Sequence, residues 1–344
     1  MRALFAAIFA FVAGAQPVAA GVCLPGINIS GAEYGDRDGI EGTNFIYPTE
    51  KTIAYFADKG MAIVRLPFSW ERLQPTLNSP LSAVELDRLK ASVALIRHYG
   101  MSVLLDPHSF GYYDKMRLGT PDAPSFAFAD FWIRLAAEFA NEPDVLFGLM
   151  NEPYDIPAAE WLDMANGAIA GIRSIGARNL VLVPGTRWSG AHGWREDHPG
   201  GSNADVMRGV KDPLDNYAYE FHQYMDADSS GTAGGCAAAG TANAALVDVT
   251  AWLRETGKKG FLGEFGGSQD EACLAGLKAM TATMAENADV WLGWSYWAAG
   301  EWWSPDEINN VQPTAKGERR QLSALPLTPG KRGDAAACAP LPPA

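Results

Sequence analysis

The sequence predicts an α/β fold, a single (β/α)8 barrel of the TIM type, and three observations predict it. Eight short apolar runs recur along the chain, with amphipathic helical periods between most of them. No glycine-rich phosphate fingerprint follows the first run, which argues against the rival open, doubly wound sheet. Polar residues suited to chemistry stand at the same, carboxyl-terminal end of successive runs, where a parallel barrel gathers its site.

The elements follow in order. Residues 25–29 read as the first strand, and 30–43 as a polar, glycine-rich loop. Residues 50–58 have helical spacing, and 62–66 form the second strand. A helix over 84–98 places Leu86, Leu89, Val93 and Ile96 on one face. The third strand is 102–106 and the next helix 126–140. The fourth strand runs from Val145 and stops at Asn151-Glu152-Pro153, because proline cannot donate to a ladder. A helix over 158–174 leads to the fifth strand, 180–184, and then to a long, mostly polar loop over 185–215. Strand six is 217–222, followed by a helix over 241–256. Strand seven, 260–264, ends in Gly263-Glu264-Phe265-Gly266-Gly267, and a helix over 271–287 precedes strand eight, 290–296. The proline- and alanine-rich tail reads as irregular, and no linker or second domain is apparent.

The amino terminus has the form of an export signal. Arg2 supplies the charge, residues 3–13 the apolar stretch, and Val18-Ala19-Ala20 a small-residue cleavage site. The run is short for a membrane span and Gln16-Pro17 interrupts it, so residues 1–20 read as a signal and 21–344 as one catalytic domain. A secreted or periplasmic protein follows, with no membrane span and a monomer expected. Four cysteines in an exported chain suggest two disulfides, Cys236–Cys273 and Cys23–Cys338, and their spacing gives no zinc motif. The net charge of −13, without a basic cluster, excludes nucleic acid as a partner and disfavours anionic polymers. Eleven tryptophans, several of them in loops, suit the flat faces of sugars.

Glu152 and Glu264 carry the chemistry. Each is a carboxylate at the end of a buried strand, an expensive place for a charge, and a pair of such groups is what glycoside hydrolysis needs. Arg65 interrupts an apolar strand and requires a carboxylate partner. His108, Asn151, His222, Tyr224 and Trp297 fall at the ends of the third, fourth, sixth and eighth strands. Taken singly, each has a structural explanation; their shared placement favours a site. Asp106 reads as a supporting residue, and His98, His192 and His198 as structural.

These motifs resemble glycoside hydrolase family 5, and most of all its secreted fungal endoglucanases. The resemblance rests on Gly26-Ile27-Asn28-Ile29-Ser30-Gly31, Val64-Arg65-Leu66-Pro67, Asp106-Pro107-His108, Met150-Asn151-Glu152-Pro153, His222-Gln223-Tyr224, Gly263-Glu264-Phe265-Gly266-Gly267 and Trp297-Ala298-Ala299-Gly300. They run in the family's order over nearly the whole mature chain. The resemblance implies Glu152 as acid/base and Glu264 as nucleophile of a retaining endo-β-1,4-glucanase. Its companions would be Arg65, His108, Asn151, His222, Tyr224, Trp297 and Asn28, with no cofactor and no metal. Trp188, after Pro184-Gly185, resembles the family's aromatic platform on the leaving-group side, and Trp302 or Trp303 would extend the aromatic surface. The implied partner is a β-glucan polysaccharide or cello-oligosaccharide. Phe265 departs from the threonine frequent in the fungal relatives, which would loosen a local hydrogen bond. Three alternatives stay open: a β-mannanase on the same barrel, a non-catalytic glucan-binding protein, and transfer to sugar acceptors in competition with hydrolysis, since a covalent intermediate can be intercepted by either.

Overall fold

The computed structural model describes residues 22–329. The expected signal, Cys338 and its proposed bridge to Cys23 lie outside that range or depend on a residue that does. Eight parallel strands close into a barrel: β1 Leu24–Ile29, β2 Ile63–Phe68, β3 Ser102–Pro107, β4 Val145–Gly148, β5 Val181–Pro184, β6 Tyr217–His222, β7 Gly260–Glu264 and β8 Trp291–Ala299. Each strand pairs with its neighbours in sequence, and β8 closes on β1. Six long helices cover the outside: α1 Glu50–Asp58, α2 Ala83–His98, α3 Ser125–Phe139, α4 Ala158–Ser174, α5 Ala239–Thr256 and α6 Glu271–Glu286. Local chemistry sets their ends. Thr49 and Ser82 cap α1 and α2 by accepting from backbone N–H groups of the first turn, and Gly257 ends α5 in the left-handed conformation.

The barrel departs from strict alternation in two places. No long helix joins β5 to β6; the connection holds the single helical turn Asn203–Val206 and short 3-10 turns. Trp194 fills the space a helix would cover. It is fully buried and packs edge-on against Tyr219, Phe221 and Trp252. Trp252 Nε1 and the Tyr219 hydroxyl donate to the carbonyls of Ala204 and Met207, which ties the connection down. After β8 the chain runs without a long helix to the 3-10 turn Arg320–Ala324. A two-stranded ribbon, Tyr112–Tyr113 with Met116–Arg117, and a helical turn, Trp70–Leu73, are also present and were not legible as periods.

What positions the site is the alternation of inward side chains. Leu24, Ile63, Leu104, Leu146, Leu182, Ala218, Phe261 and Leu292 form an apolar plug distinct from the core beneath the helices. Side chains along a strand alternate between faces, so residues two further on also point inward. On β1 to β7 those residues are Gly26, Arg65, Asp106, Gly148, Pro184, Glu220 and Gly263; on β8 the register shifts and Trp294 packs in the core beneath the helices. The barrel thus changes within one step from an apolar plug to a layer of buried charges. Tryptophans of the helices brace the strand ends above it. Trp132 Nε1 donates to the Leu149 carbonyl at 3.0 Å, and Trp161 Nε1 to the Pro184 carbonyl at 2.7 Å.

The expected Cys236–Cys273 disulfide is present and joins the loop after β6 to the first turn of α6. Among the described residues, no helix is long and apolar enough to cross a membrane.

Candidate active site

Arg65 stands at the centre of the charged layer, 1% exposed. Its Nε donates to Glu220 at 2.9 Å, and its Nη1 lies 2.8 Å from Asp106 and 3.0 Å from Glu264. Nη1 also donates to Asn28 Oδ1 at 3.1 Å, and Nη2 to Asn151 Oδ1 at 2.8 Å. Burying a guanidinium is tolerable only with such saturation. Burial alone would disfavour its charge, but Asp106, Glu220 and Glu264 outweigh this and raise its pKa. Register supports the cluster: Asn28 pairs with Arg65 across β1 and β2, and His222 with Glu264 across β6 and β7. Asn28 Nδ2 in turn donates to the Gly263 carbonyl at 2.8 Å, beside Glu264.

The two expected carboxylates face one another with His222 between them. His222 Nδ1 lies 2.7 Å from Glu152 Oε1 and 3.6 Å from Glu264 Oε2. One oxygen of each carboxylate and one nitrogen of the ring all lie within 4.8 Å of one another. These donor atoms are spaced closely enough that they could hold a cation as well as share protons. Glu152 occupies positive φ, 41°, outside the strand and just before Pro153. A non-glycine residue held there costs about 1–3 kcal/mol, the kind of strain that accompanies a functional position.

The environments of the two carboxylates differ. Glu264 accepts from Arg65 Nη1 on Oε1 and from the Tyr224 hydroxyl at 2.7 Å on Oε2. Burial pushes its pKa up, His222 and Arg65 oppose this, and Glu152 adds to the rise; the net direction is upward. Burial and the Glu264 charge raise the Tyr224 pKa well above the usual phenol value, so its hydroxyl stays a donor. Glu152, with its side chain 15% exposed, meets His222 alone among these donors.

His108 lies 2.7 Å from Asp106 through Nδ1 and stacks on the Trp297 ring, centroids 5.3 Å apart and 10° from parallel. Burial works against its charge, but Asp106 outweighs burial and raises its pKa. Trp303 meets Trp297 edge-on and donates through Nε1 to Ser30 Oγ at 2.9 Å. Trp188 is 49% exposed and stacks on Tyr154, at 5.2 Å and 8°. Its loop holds Arg187, Trp188 and Ser189 at φ of 56°, 58° and 55° and is anchored by Trp188 N donating to the Pro153 carbonyl. Trp302, 38% exposed, lies beside Trp303 in sequence.

The structure therefore gathers Arg65, His108, Asn151, Glu152, His222, Tyr224, Glu264, Asn28 and Trp297 in one site, with Trp188 carried by the loop docked on the Glu152 loop. His98 lies in the last turn of α2 and His198 beside Glu196, both away from these contacts. His192 rests on Gln223, which lies between His222 and Tyr224. Phe265 packs edge-on against Trp294 and Tyr296, so it fills core space rather than replacing a polar contact at the dyad.

Sequence reasoning missed Glu220, Glu33 and Tyr154. Glu220 was legible, since Ala218, Glu220 and His222 alternate in phase with the inward residues. Glu33 accepts from Gly31 N at 2.6 Å and from the Ser30 hydroxyl; burial raises its pKa and the nearby His108 opposes the rise. It belongs to an aperiodic loop and left no signal. Tyr154 is visible only through its stacking on Trp188.

Residues 22–300 match the family described as Cellulase (glycosyl hydrolase family 5). Over 290 residues the chain is 36% identical to endo-beta-1,4-glucanase B of Aspergillus niger, covering 84% of each chain. A crystal structure of an endo-beta-1,4-glucanase from Xanthomonas axonopodis pv. citri is 44% identical and superposes with a TM-score of 0.86, over 88% of this chain and 96% of that one. A structure of XacCel5A with cellopentaose gives the same identity and TM-score over 88% and 97%. With a closed eightfold barrel, a family match over most of its length and relatives of this kind, the chain belongs to glycoside hydrolase family 5.

Proposed function

We propose that the protein is a retaining endo-β-1,4-glucanase in which Glu264 is the nucleophile and Glu152 the acid/base. The observation that carries the assignment is the unequal supply of donors. Arg65 and Tyr224 both donate to Glu264, and a hydrogen bond to the charged form favours that form. Two carboxylates this close resist double ionisation, and the pair of donors on Glu264 leaves Glu152 to serve as the proton donor. Carboxyl oxygens within 4.8 Å of each other suit a double displacement, whereas inversion requires about 6.5–9.5 Å to seat a water.

In the first step Glu264 attacks the anomeric carbon while Glu152 gives its proton to the departing glycosidic oxygen. In the second, the ionised Glu152 takes a proton from water, which attacks the same carbon and frees Glu264. Arg65 has donors only, so the Asn151 amide must turn its oxygen toward Nη2. Its NH2 group is then left for the sugar 2-hydroxyl, a contact that strengthens in the oxocarbenium-like state. Trp297, backed by His108, offers a ring face to the sugar being cleaved, and Trp188 to the leaving side.

The substrate is a neutral β-1,4-glucan chain, in keeping with the acidic composition and with the cello-oligosaccharide held by the relative. The relatives are named endoglucanases, which disfavours the mannanase alternative, and the complete dyad disfavours a binding protein. All the proposed catalytic groups come from one chain, as a monomer requires, and the amino-terminal pattern and the disulfide accord with export.

The test separates the two carboxylates. Glu152→Gln loses cellulose cleavage yet forms the intermediate from a glycoside with an activated phenol leaving group, and azide then yields the β-glycosyl azide. Glu264→Ala loses both activities, and azide rescue yields the α-product. Opposite products from the two variants would mean the roles are exchanged.

A further inference from the structure

Glu220 is a buried carboxylate of the barrel that the mechanism above does not use. It is 1% exposed in the charged layer, and an ionised carboxylate there is costly unless its oxygens are satisfied. One of its oxygens, Oε1, has two partners: Arg65 Nε at 2.9 Å and His222 Nε2 at 3.4 Å. The barrel makes room for it. A Cβ at Gly263 on β7 would lie 2.1 Å from Oε1. The glycine before the nucleophile thus vacates the space that Glu220 fills.

His222 is bracketed as a result. Nδ1 faces Glu152 at 2.7 Å and Nε2 faces Glu220 at 3.4 Å. A neutral imidazole has one donor and one acceptor, so it leaves one of two carboxylates opposite a lone pair unless Glu152 turns its proton back onto Nδ1, where that proton no longer faces the glycosidic oxygen. The doubly protonated ring satisfies both.

We propose that Glu220 is a positioning residue for the glycosidase reaction, holding His222 as an imidazolium whose Nδ1–H is directed at Oε1 of Glu152. The proposal rests on the assignment of Glu152 as acid/base. With Oε1 fixed by the ring, Oε2 of Glu152 is the oxygen that exchanges a proton with the glycosidic oxygen and then with water. The same N–H stabilises the ionised Glu152 between the two steps, so the ring itself transfers no proton. The groups facing His222 are Glu152 beyond β4, Glu264 on β7 and Glu220 on its own strand. Asp106 on β3 also feels the ring's charge, and Arg65 on β2 is the cation these carboxylates share. Burial opposes a charge on the ring, but Glu264, Glu152 and Glu220 outweigh it and raise the His222 pKa to about 10.

The experiment reads the ring directly. The chain has five histidines, so ring nitrogen resonances of a 15N-histidine sample can be assigned against His222→Asn. Wild-type enzyme at pH 8 should show both His222 nitrogens protonated. Glu220→Gln preserves shape and removes the charge; it should lower the His222 protonation constant at least tenfold. A neutral His222 ring in the wild type at pH 8 would overturn the proposal. So would a Glu220→Gln enzyme that loses activity while His222 titrates as before, since Glu220 would then be structural. Should Glu220→Gln fail to fold, the wild-type spectrum alone decides. The ring titration is measured without turnover, so it stands apart from any failure of the azide test.

Discussion

Replacing Tyr224 by phenylalanine removes one donor from Glu264 and little else. The hydroxyl lies 2.7 Å from Oε2, and the ring, which phenylalanine retains, packs where a Cβ on Gly231 would come within 2.5 Å. A hydrogen bond to a charged group contributes about 1.5–3 kcal/mol, and one pKa unit corresponds to about 1.36 kcal/mol. The loss should therefore raise the Glu264 pKa by about 1–2 units, added to the upward direction that burial already gives it. The acid limb of kcat/KM reports the free enzyme's essential base. In Tyr224→Phe that limb should move to higher pH by about 1–2 units, the carboxylate now needing a more alkaline solution to ionise. On the plateau the loss should be smaller, because glycosylation itself consumes the charge that the hydroxyl stabilises. A pH–rate series on an activated cellobioside, with thermal melting as the control for folding, measures it. An acid limb that stays in place or moves to lower pH would refute the claim that Glu264 is the ionised nucleophile.

Two further outcomes follow from the contacts. Cys236 and Cys273 close a loop of sequence separation 37, for which the chain-entropy relation gives about 4 kcal/mol; the double serine variant should lose about 2–4 kcal/mol in denaturant unfolding, and an unchanged midpoint would contradict this. Trp188→Ala should lower kcat/KM on cello-oligosaccharides by about threefold to tenfold, from the roughly 0.5–1.5 kcal/mol that ring stacking contributes, with little change in melting temperature because the indole is 49% exposed. Loss of the fold with substrate handling unchanged would make Trp188 a core residue.

The barrel was legible because burial on both faces forces a parallel strand into a short apolar run, and helices on its outside keep a period of their own. The strands and the long helices fall within a few residues of where those periods place them. The connection after β5 was legible only as polar sequence, because its organising residue is one tryptophan. Trp194 is buried by rings from β6 and α5, a tertiary fact with no local period. The ribbon Tyr112–Tyr113 with Met116–Arg117 is too short to show alternation at all.

The site divides along the same line. Glu152 and Glu264 stand out because each is a charge that ends an apolar run, and Arg65 because it interrupts one. Glu220 also interrupts one, between Tyr219 and Phe221, in phase with His222. Counting charge shows why it matters. Arg65 is one cation among Asp106, Glu220 and Glu264, so the cluster is short of positive charge before Glu152 is considered. His222 and His108, both raised in pKa once the carboxylates outweigh burial, are the groups that can supply it. An acid that must keep its proton beside an ionised nucleophile benefits from that deficit, while a nucleophile that must lose its proton requires local donors against it. Arg65 and Tyr224 are those donors, and of the two facing glutamates they reach Glu264 and not Glu152. The asymmetry between two chemically identical side chains is therefore set by which strand end each occupies, and no property of either glutamate in isolation could have revealed it.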